Sequence, residues 1–326
     1  MTRAALVAWT LLGSLAFSQT QVAVKVLEKP EGRPIEDLSA ADFVVEVDGQ
    51  LVEVKSAKRV ERPLDLILIV EERRWRPLDP IVHEELGNLA AHLTDRDRVG
   101  LLVAGVRVRT ELEPDSSADA FAVLLARERV NLATRFPDPR VAMDPPALFD
   151  AIAAAASHDL RPEARRAAIV LGAGWDASAV ATEQDARQAA LAKRLIVAWD
   201  ALPEAPLRVR TAANEVPAPG YPSLQYPPGL ELPPPVPPRP PARRSDESIA
   251  DLVRATGGEE RRDWKGGRSV NRLADSLRTR YELELQGSVP GDLTVELSPA
   301  VSQARQKAVV LAPARIVPGE MEETQF

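Results

Sequence analysis

The sequence predicts an α/β fold, a doubly wound and mostly parallel sheet joined to a small β-sandwich-like domain. Three observations predict it. Residues 66–70 (LILIV) are apolar without alternation, which suits a strand covered on both faces. From there on, apolar strands alternate with segments of helical spacing, the βαβα order that closes by right-handed crossovers. Both flanks, 19–62 and 281–318, carry short strands, each set too small to close a core alone.

Taken in order, Arg3 supplies a positive start, residues 4–15 an apolar run, and Ala16 and Ser18 the small residues before a cut preceding Gln19. This is the pattern of a signal peptide over 1–18, too short to span the roughly 30 Å core of a bilayer. A secreted or periplasmic protein with no membrane span after signal removal is expected. The first β segment, 19–62, holds alternating runs at 22–27 (VAVKVL), 43–48 (FVVEVD) and 51–60 (LVEVKSAKRV), with Asp48-Gly49-Gln50 as a turn and Ser39 capping one helical turn. The α/β domain is expected over 63–280. Its strands are predicted at 66–70, 98–104, 167–171 and 195–199, with an exposed edge strand at 106–112. Its helices are predicted at 78–93, 117–127, 147–158, 182–193 (capped by Thr182), 246–255 (capped by Ser245) and 270–280. Between Pro203 and Pro241 lie 14 of the 29 prolines, so 203–241 reads as an extended loop. Strands at 281–286, 293–297 and 308–311 form the second β segment, 281–318, before a tail at 319–326.

Composition excludes several classes. At 326 residues, 45% hydrophobic and 27% charged, the chain is long enough for one sizeable core and a smaller one. A net charge of -7, with no Lys/Arg stripe interleaved with aromatics, argues against nucleic acid as a partner. The absence of cysteine removes disulfides, thiolate nucleophiles, iron-sulfur clusters and cysteine-based zinc sites.

The order of PLDLILIV, RDRVGLLVAG, ALFDAIAAAA, RRAAIVLGAGWD, LIVAWD, ADLVRATGG and LRTRYELEL resembles a von Willebrand factor type A (vWA) domain, which is Rossmann-like. With its leading SAADFVVEVDGQLVEV, the chain is similar to the VWFA-related family of secreted acidobacterial proteins. The resemblance implies a site for a divalent cation at the end of the central strand, built from Asp-x-Ser-x-Ser, a later Thr and a second Asp. Hard cations such as Mg²⁺ need those oxygens in octahedral geometry. Here Glu71 stands at the first Asp, Arg73 and Trp75 at the two serines, Pro146 at the Thr and Ala173 at the second Asp, with Asp176 beyond it. The resemblance therefore implies a degenerate metal-ion-dependent adhesion site (MIDAS), with no metal and no cofactor.

Catalytic patterns are incomplete. His83-Glu84 begins like HExxH, but Gly87 replaces the second histidine, so the i, i+4 zinc pair is missing. Gly172-Ala173-Gly174 matches a dinucleotide fingerprint with Asp200 at the next strand end, yet the following helix begins only near Thr182. Asp95 and Asp97 read as solvated loop residues. The reading is a non-enzymatic module that binds a protein partner through loops 71–77, 141–146 and 172–178, with Glu71, Glu72, Arg73, Arg74, Trp75, Trp175 and Asp176 as the contact residues, since Trp and Arg are enriched at binding hot spots. The alternatives are an exported enzyme with an unrecognised site, or nucleotide binding at Gly172-Ala173-Gly174. A deep apolar cleft with convergent titratable groups favours an enzyme; a flat loop face favours binding.

Overall fold

Every residue of the strand Leu64–Glu71 is buried, and the α/β domain is layered on it. The computed structural model describes residues 20–28, 33–75, 80–132, 146–159, 161–176, 178, 180–202, 243–244, 246–262, 269–287 and 290–316. The signal-like segment, the proline-rich stretch 203–241, the expected cap Ser245 and the tail 319–326 lie outside them.

In chain order the first elements are β1 (Thr20–Glu28), β2 (Arg33–Pro34), a 3-10 turn (Ala40–Asp42), β3 (Phe43–Val47), β4 (Gln50–Val52), β5 (Val54–Glu61) and β6 (Leu64–Glu71). Then come α1 (Glu72–Trp75), α2 (Pro80–His92), β7 (Arg98–Ala104), β8 (Val108–Leu112), α3 (Ala118–Leu132), α4 (Leu148–Ser157), β9 (Arg165–Gly172), β10 (Trp175–Asp176), α5 (Glu183–Ala192) and β11 (Ile196–Ala201). The last are β12 (Arg243–Arg244), α6 (Asp246–Ala255), β13 (Glu260–Arg261), α7 (Ser269–Arg278), β14 (Thr279–Leu285), β15 (Gly291–Leu297), α8 (Pro299–Ala304), β16 (Ala308–Leu311) and β17 (Arg315–Ile316).

The central sheet has the order β13-β11-β9-β6-β7-β8. Its pairings are parallel except at the β7–β8 edge, which is antiparallel. Side chains alternate across β6: Leu64, Leu66, Leu68 and Val70 meet α2, α3 and α7, while Ile67 and Ile69 meet α4, α5 and α6. Burial on both faces is why the run lacks polar alternation; each such side chain contributes about 1.5–3 kcal/mol. The expectation of a mostly parallel sheet applies to this sheet alone, since the other three are antiparallel.

The flanks pair with each other. One sheet runs β16-β1-β14-β5 and the other β17-β15-β3-β4. Val22, Val24, Val26, Tyr281, Leu283 and Leu285 of the first enclose a core with Phe43, Val45, Val47, Leu293 and Leu297 of the second. Tyr281 fastens it, its hydroxyl donating to Ile35 O and accepting from Leu38 N, each at 3.1 Å. The Asp48-Gly49 turn has positive φ at both residues (50° and 75°), a conformation that Asp and Gly tolerate.

Three local expectations are corrected. The run 51–60 is not one strand: it breaks at Glu53 into β4 and β5, which belong to different sheets. Residues 71–75 are not a loop, because β6 continues through Glu71 and α1 follows at once. Asp97 is not a solvated loop residue but fully buried, accepting from Leu64 N, Thr94 N and Thr94 Oγ1 and from Arg278 Nη2 at 2.7–2.9 Å.

Candidate functional site

Open α/β sheets take ligands at the carboxyl ends of their strands, where the strand order reverses. In this sheet the reversal lies between β6 and β9, so the crevice is formed by Glu71, at the end of β6, and by Gly172 and Ala173, at the end of β9. The protein's own side chain fills it. The Glu71 carboxylate is fully buried and accepts from Ala173 N at 2.7 Å. Gly172 makes the space: a Cβ there would lie 2.3 Å from Glu71 Oε1 and 2.7 Å from its Cγ. The Gly172 carbonyl accepts from Trp199 Nε1 at 3.1 Å, and Arg262 lies 5.5 Å over the Trp199 ring.

A second carboxylate closes the next gap. Helix α4 begins after Ala147, which has no side-chain cap of its own. Asp176, from the loop after β9, supplies one: its Oδ1 accepts from Leu148 N at 2.8 Å, Phe149 N at 3.2 Å and Ser178 Oγ at 2.7 Å. Ser178 Oγ in turn accepts from Asp150 N at 3.0 Å. Asp150 Oδ1 then accepts from Ala181 N and Val180 N, tying the loop back to the helix. The partial positive charge of this helix N-terminus is thus met by an internal anion.

The expected contact residues separate into interior and surface. Glu71, Arg74 and Trp75 are buried, so none of the three presents a contact surface; Trp75 belongs to the core beneath α2 and stacks on His83 with ring centres 5.4 Å apart. This corrects the expectation of a Trp-Arg hot spot, because a helical turn directly after a buried strand points its side chains back over the core. Glu72 is half-buried and accepts from Arg109 Nη1 of the edge strand at 2.7 Å. Asp176 is half-buried as the cap. The side chains of Arg73 and Trp175 are outside what the structure describes, though Trp175 pairs through its backbone with Arg244. Pro146 and Ala173 are buried and offer no side-chain oxygen. Loop 141–145 lies outside the described residues.

Sequence reasoning missed Arg109, Ser178 and Asp150. The only available signal was Asp176-x-Ser178, whose two short oxygen-bearing side chains suit the capping of a helix start. His83 holds Trp75 O at 3.1 Å and His92 pairs with Asp275 at 2.7 Å, so both have structural partners. Among the described residues no three His, Asp or Glu side chains gather as a metal-ligand set. Among the described residues one surface recess is lined by Glu72, Val106, Arg107, Val108 and Arg109 and another by residues of β15, α8 and β16 in the β domain. No helix among the described residues is long and apolar enough to cross a membrane.

Fold and site together define a class: an α/β domain whose strand-end crevice is closed by internal carboxylates, seated on a two-sheet β domain. No family model matches the chain, and no curated protein matches it. Among solved structures it is similar to an aerotolerance-related membrane protein from Bacteroides fragilis NCTC 9343, with 14% identity over 66% of this chain and 98% of that one and a TM-score of 0.44. It is also similar to BatB from Bacteroides thetaiotaomicron (17%, 65% and 95%, TM-score 0.41). A third likeness is to a von Willebrand factor type A protein from Catenulispora acidiphila (14%, 57% and 41%, TM-score 0.32).

Proposed function

We propose that the chain is an exported, non-enzymatic protein-interaction module, a vWA-type domain that has replaced its metal site with internal carboxylate caps. The observation that carries this reading is the closed crevice. A hard cation needs several free oxygens in one place. Here the Glu71 carboxylate is engaged by Ala173 N, Asp176 is spent on the start of α4, and Pro146 and Ala173 supply no side-chain oxygen. The residues present do not fit the cation. The same closure argues against nucleotide binding at Gly172-Ala173-Gly174, since the α4 N-terminus already has its anion and α5 begins only at Glu183.

What this end of the domain offers a partner is a rim around α4. Val106 (40% exposed) and Val180 (88% exposed) stand on two loops joined through the start of that helix: Ala147 N donates to Gly105 O, and Val180 N to Asp150. Apolar side chains on a polar rim suit a modest protein contact rather than a small-molecule pocket. The test is capture of a partner from envelope extracts of the encoding organism by the full chain and by Val106→Asp/Val180→Asp. The double variant should melt as the parent does and lose the captured protein. Unchanged capture, or a saturable heat on titrating Mg²⁺ or Mn²⁺ into the parent, overturns the reading.

A further inference from the structure

Two stretches of chain join the β domain to the α/β domain, and they lie side by side. One is Arg62-Pro63, between β5 and β6; the other is the junction of α7 and β14 at Arg278 and Thr279. Arg62 N donates to Arg278 O at 3.1 Å, and the pairing continues with Glu61 opposite Thr279. Two crossings bonded to each other leave rotation about one line as the easy motion, which is the geometry of a hinge at element ends. Beyond that line the joint is closed by Ala314 N donating to Ala255 O and Arg280 Nη1 donating to Gly257 O, each at 2.7 Å. Gly257, at φ 74°, lets the two backbones approach: a Cβ there would lie 2.7 Å from Ala312 C.

Buried positive charge faces this joint. The side chains of Tyr281 and Leu283 enter the β core, so those of Arg280 and Glu282 point the other way, toward the α/β domain. Lys25 of β1 and Arg165 at the start of β9 are buried as well. Glu282 accepts from Arg62 Nη2 and Arg165 Nη2, and Lys25 Nζ donates to Thr279 O at 2.9 Å. Arg280 Nε and Nη2 and Arg165 Nε have no acceptor, and none of the three reaches solvent. While the joint is closed these bonds stay unmade, and an unpaired buried N–H on a charged group is costly. Opening gives all three to water.

We propose that this joint is a proton-sensitive hinge: the β domain turns about the paired crossings, and a proton on Lys25 favours the open form. The amine is the group able to switch. Burial and the neighbouring Arg280 lower Lys25 from 10.5 to about 8, with Arg59 acting the same way and Glu259 and Glu36 opposing. Strand β16, on its other side, carries no ionisable side chain. Arg280 and Arg165 are pressed in the same direction by burial, but a guanidinium keeps its proton throughout. In the open form Lys25 stands in water and returns toward 10.5, so the open form binds the proton more tightly. Below about 8 Lys25 is charged in both forms and opening is greatest. As pH rises from about 8 toward 10.5 the closed form gains, by up to about tenfold per pH unit.

The test is amide hydrogen exchange of the full chain at pH 7 and pH 9.5, expressed as protection relative to an unstructured chain so that the base-catalysed rate cancels. The amide of Ala314 crosses the joint and reports its opening. Its protection should rise about tenfold or more between the two pH values, while residues 43–47 of the β core and 66–70 of the central sheet keep theirs. Lys25→Met keeps an unbranched stem and removes the charge, so Ala314 should already be as protected at pH 7 as the parent is at pH 9.5, with no further rise. Equal protection of Ala314 at both pH values in the parent, an equal rise in all three regions, or the parent's pH response in Lys25→Met overturns the proposal. Should Lys25→Met not fold, the parent decides alone: a rise confined to the joint supports the hinge, and any other pattern overturns it.

Discussion

Asp97 is one aspartate in the polar stretch TDRDR, and in the structure it holds three elements together. Its carboxylate accepts from the first backbone amide of β6, from Thr94 at the end of the α2 loop and from Arg278 of α7. Burial alone would raise its pKa, but the hydrogen bonds from Leu64 and Thr94 and the charge of Arg278 outweigh that and hold the carboxyl below its ordinary value. A carboxyl with a depressed folded pKa contributes stability above its unfolded pKa and loses it as pH falls through the folded one. Asp97→Ala should cost about 3 kcal/mol in urea unfolding near neutrality, because the buried Arg278 keeps only the more exposed Asp275 and the amides of Leu64 and Thr94 lose their acceptor. The difference between parent and variant should shrink as pH falls below the ordinary carboxylate range and on through Asp97's lower folded value. A variant as stable as the parent at pH 7 would refute this account. The Thr94-x-x-Asp97 spacing was legible as a local turn, but the contact with Arg278, far along the chain, was not.

Helices here are held by what reaches them from elsewhere. Helix α5 carries its own cap, Thr182 accepting from Asp185 N at 3.2 Å, and its start was legible because the cap is local in sequence. Helix α4 borrows Asp176 from a loop 27 and 28 residues away. Asp176→Ala should therefore destabilise the protein by about 0.5–2 kcal/mol and speed amide exchange at residues 148–150, with residues 183–186 of α5 unaffected. Equal exchange in both helices would show that Asp176 does not act as the cap. Trp75 gives the complementary lesson. Its sequence neighbours are charged, which reads as surface, but α1 follows the buried β6 without a loop, and the ring lands under α2.

At the scale of the whole molecule the two ends of the chain form one β domain by strand exchange. Strand β14 lies between β1 and β5, and β15 pairs with β3. Ending the chain at Arg280 should leave β1 without its sheet and remove the amide protection of residues 22–26, while residues 66–70 in the central sheet stay protected. Retained protection at 22–26 would mean that the N-terminal strands stand without the C-terminal ones. Contacts between the domains include Glu282 with Arg165 and Arg280 with Gly257.

Sequence by itself determined the elements whose cause is local. The unbroken run 66–70 is a buried strand because both of its faces need apolar side chains, the Asp48-Gly49 turn follows from their tolerance of positive φ, and Thr182 starts a helix through its neighbour Asp185. That Arg73, Trp75, Pro146 and Ala173 bring no side-chain oxygen to these positions was equally plain in the sequence. Only the tertiary structure decided where the remaining polar groups go. Lys25 and Arg280, more than 250 residues apart, become neighbours because β1 pairs with β14. Glu71 is locked inside because β9 lies beside β6 and Gly172 leaves room for its carboxylate. The physical reason is the same in both cases: a charged side chain's partner is set by strand pairing across the fold, and no short-range pattern records which strands will pair.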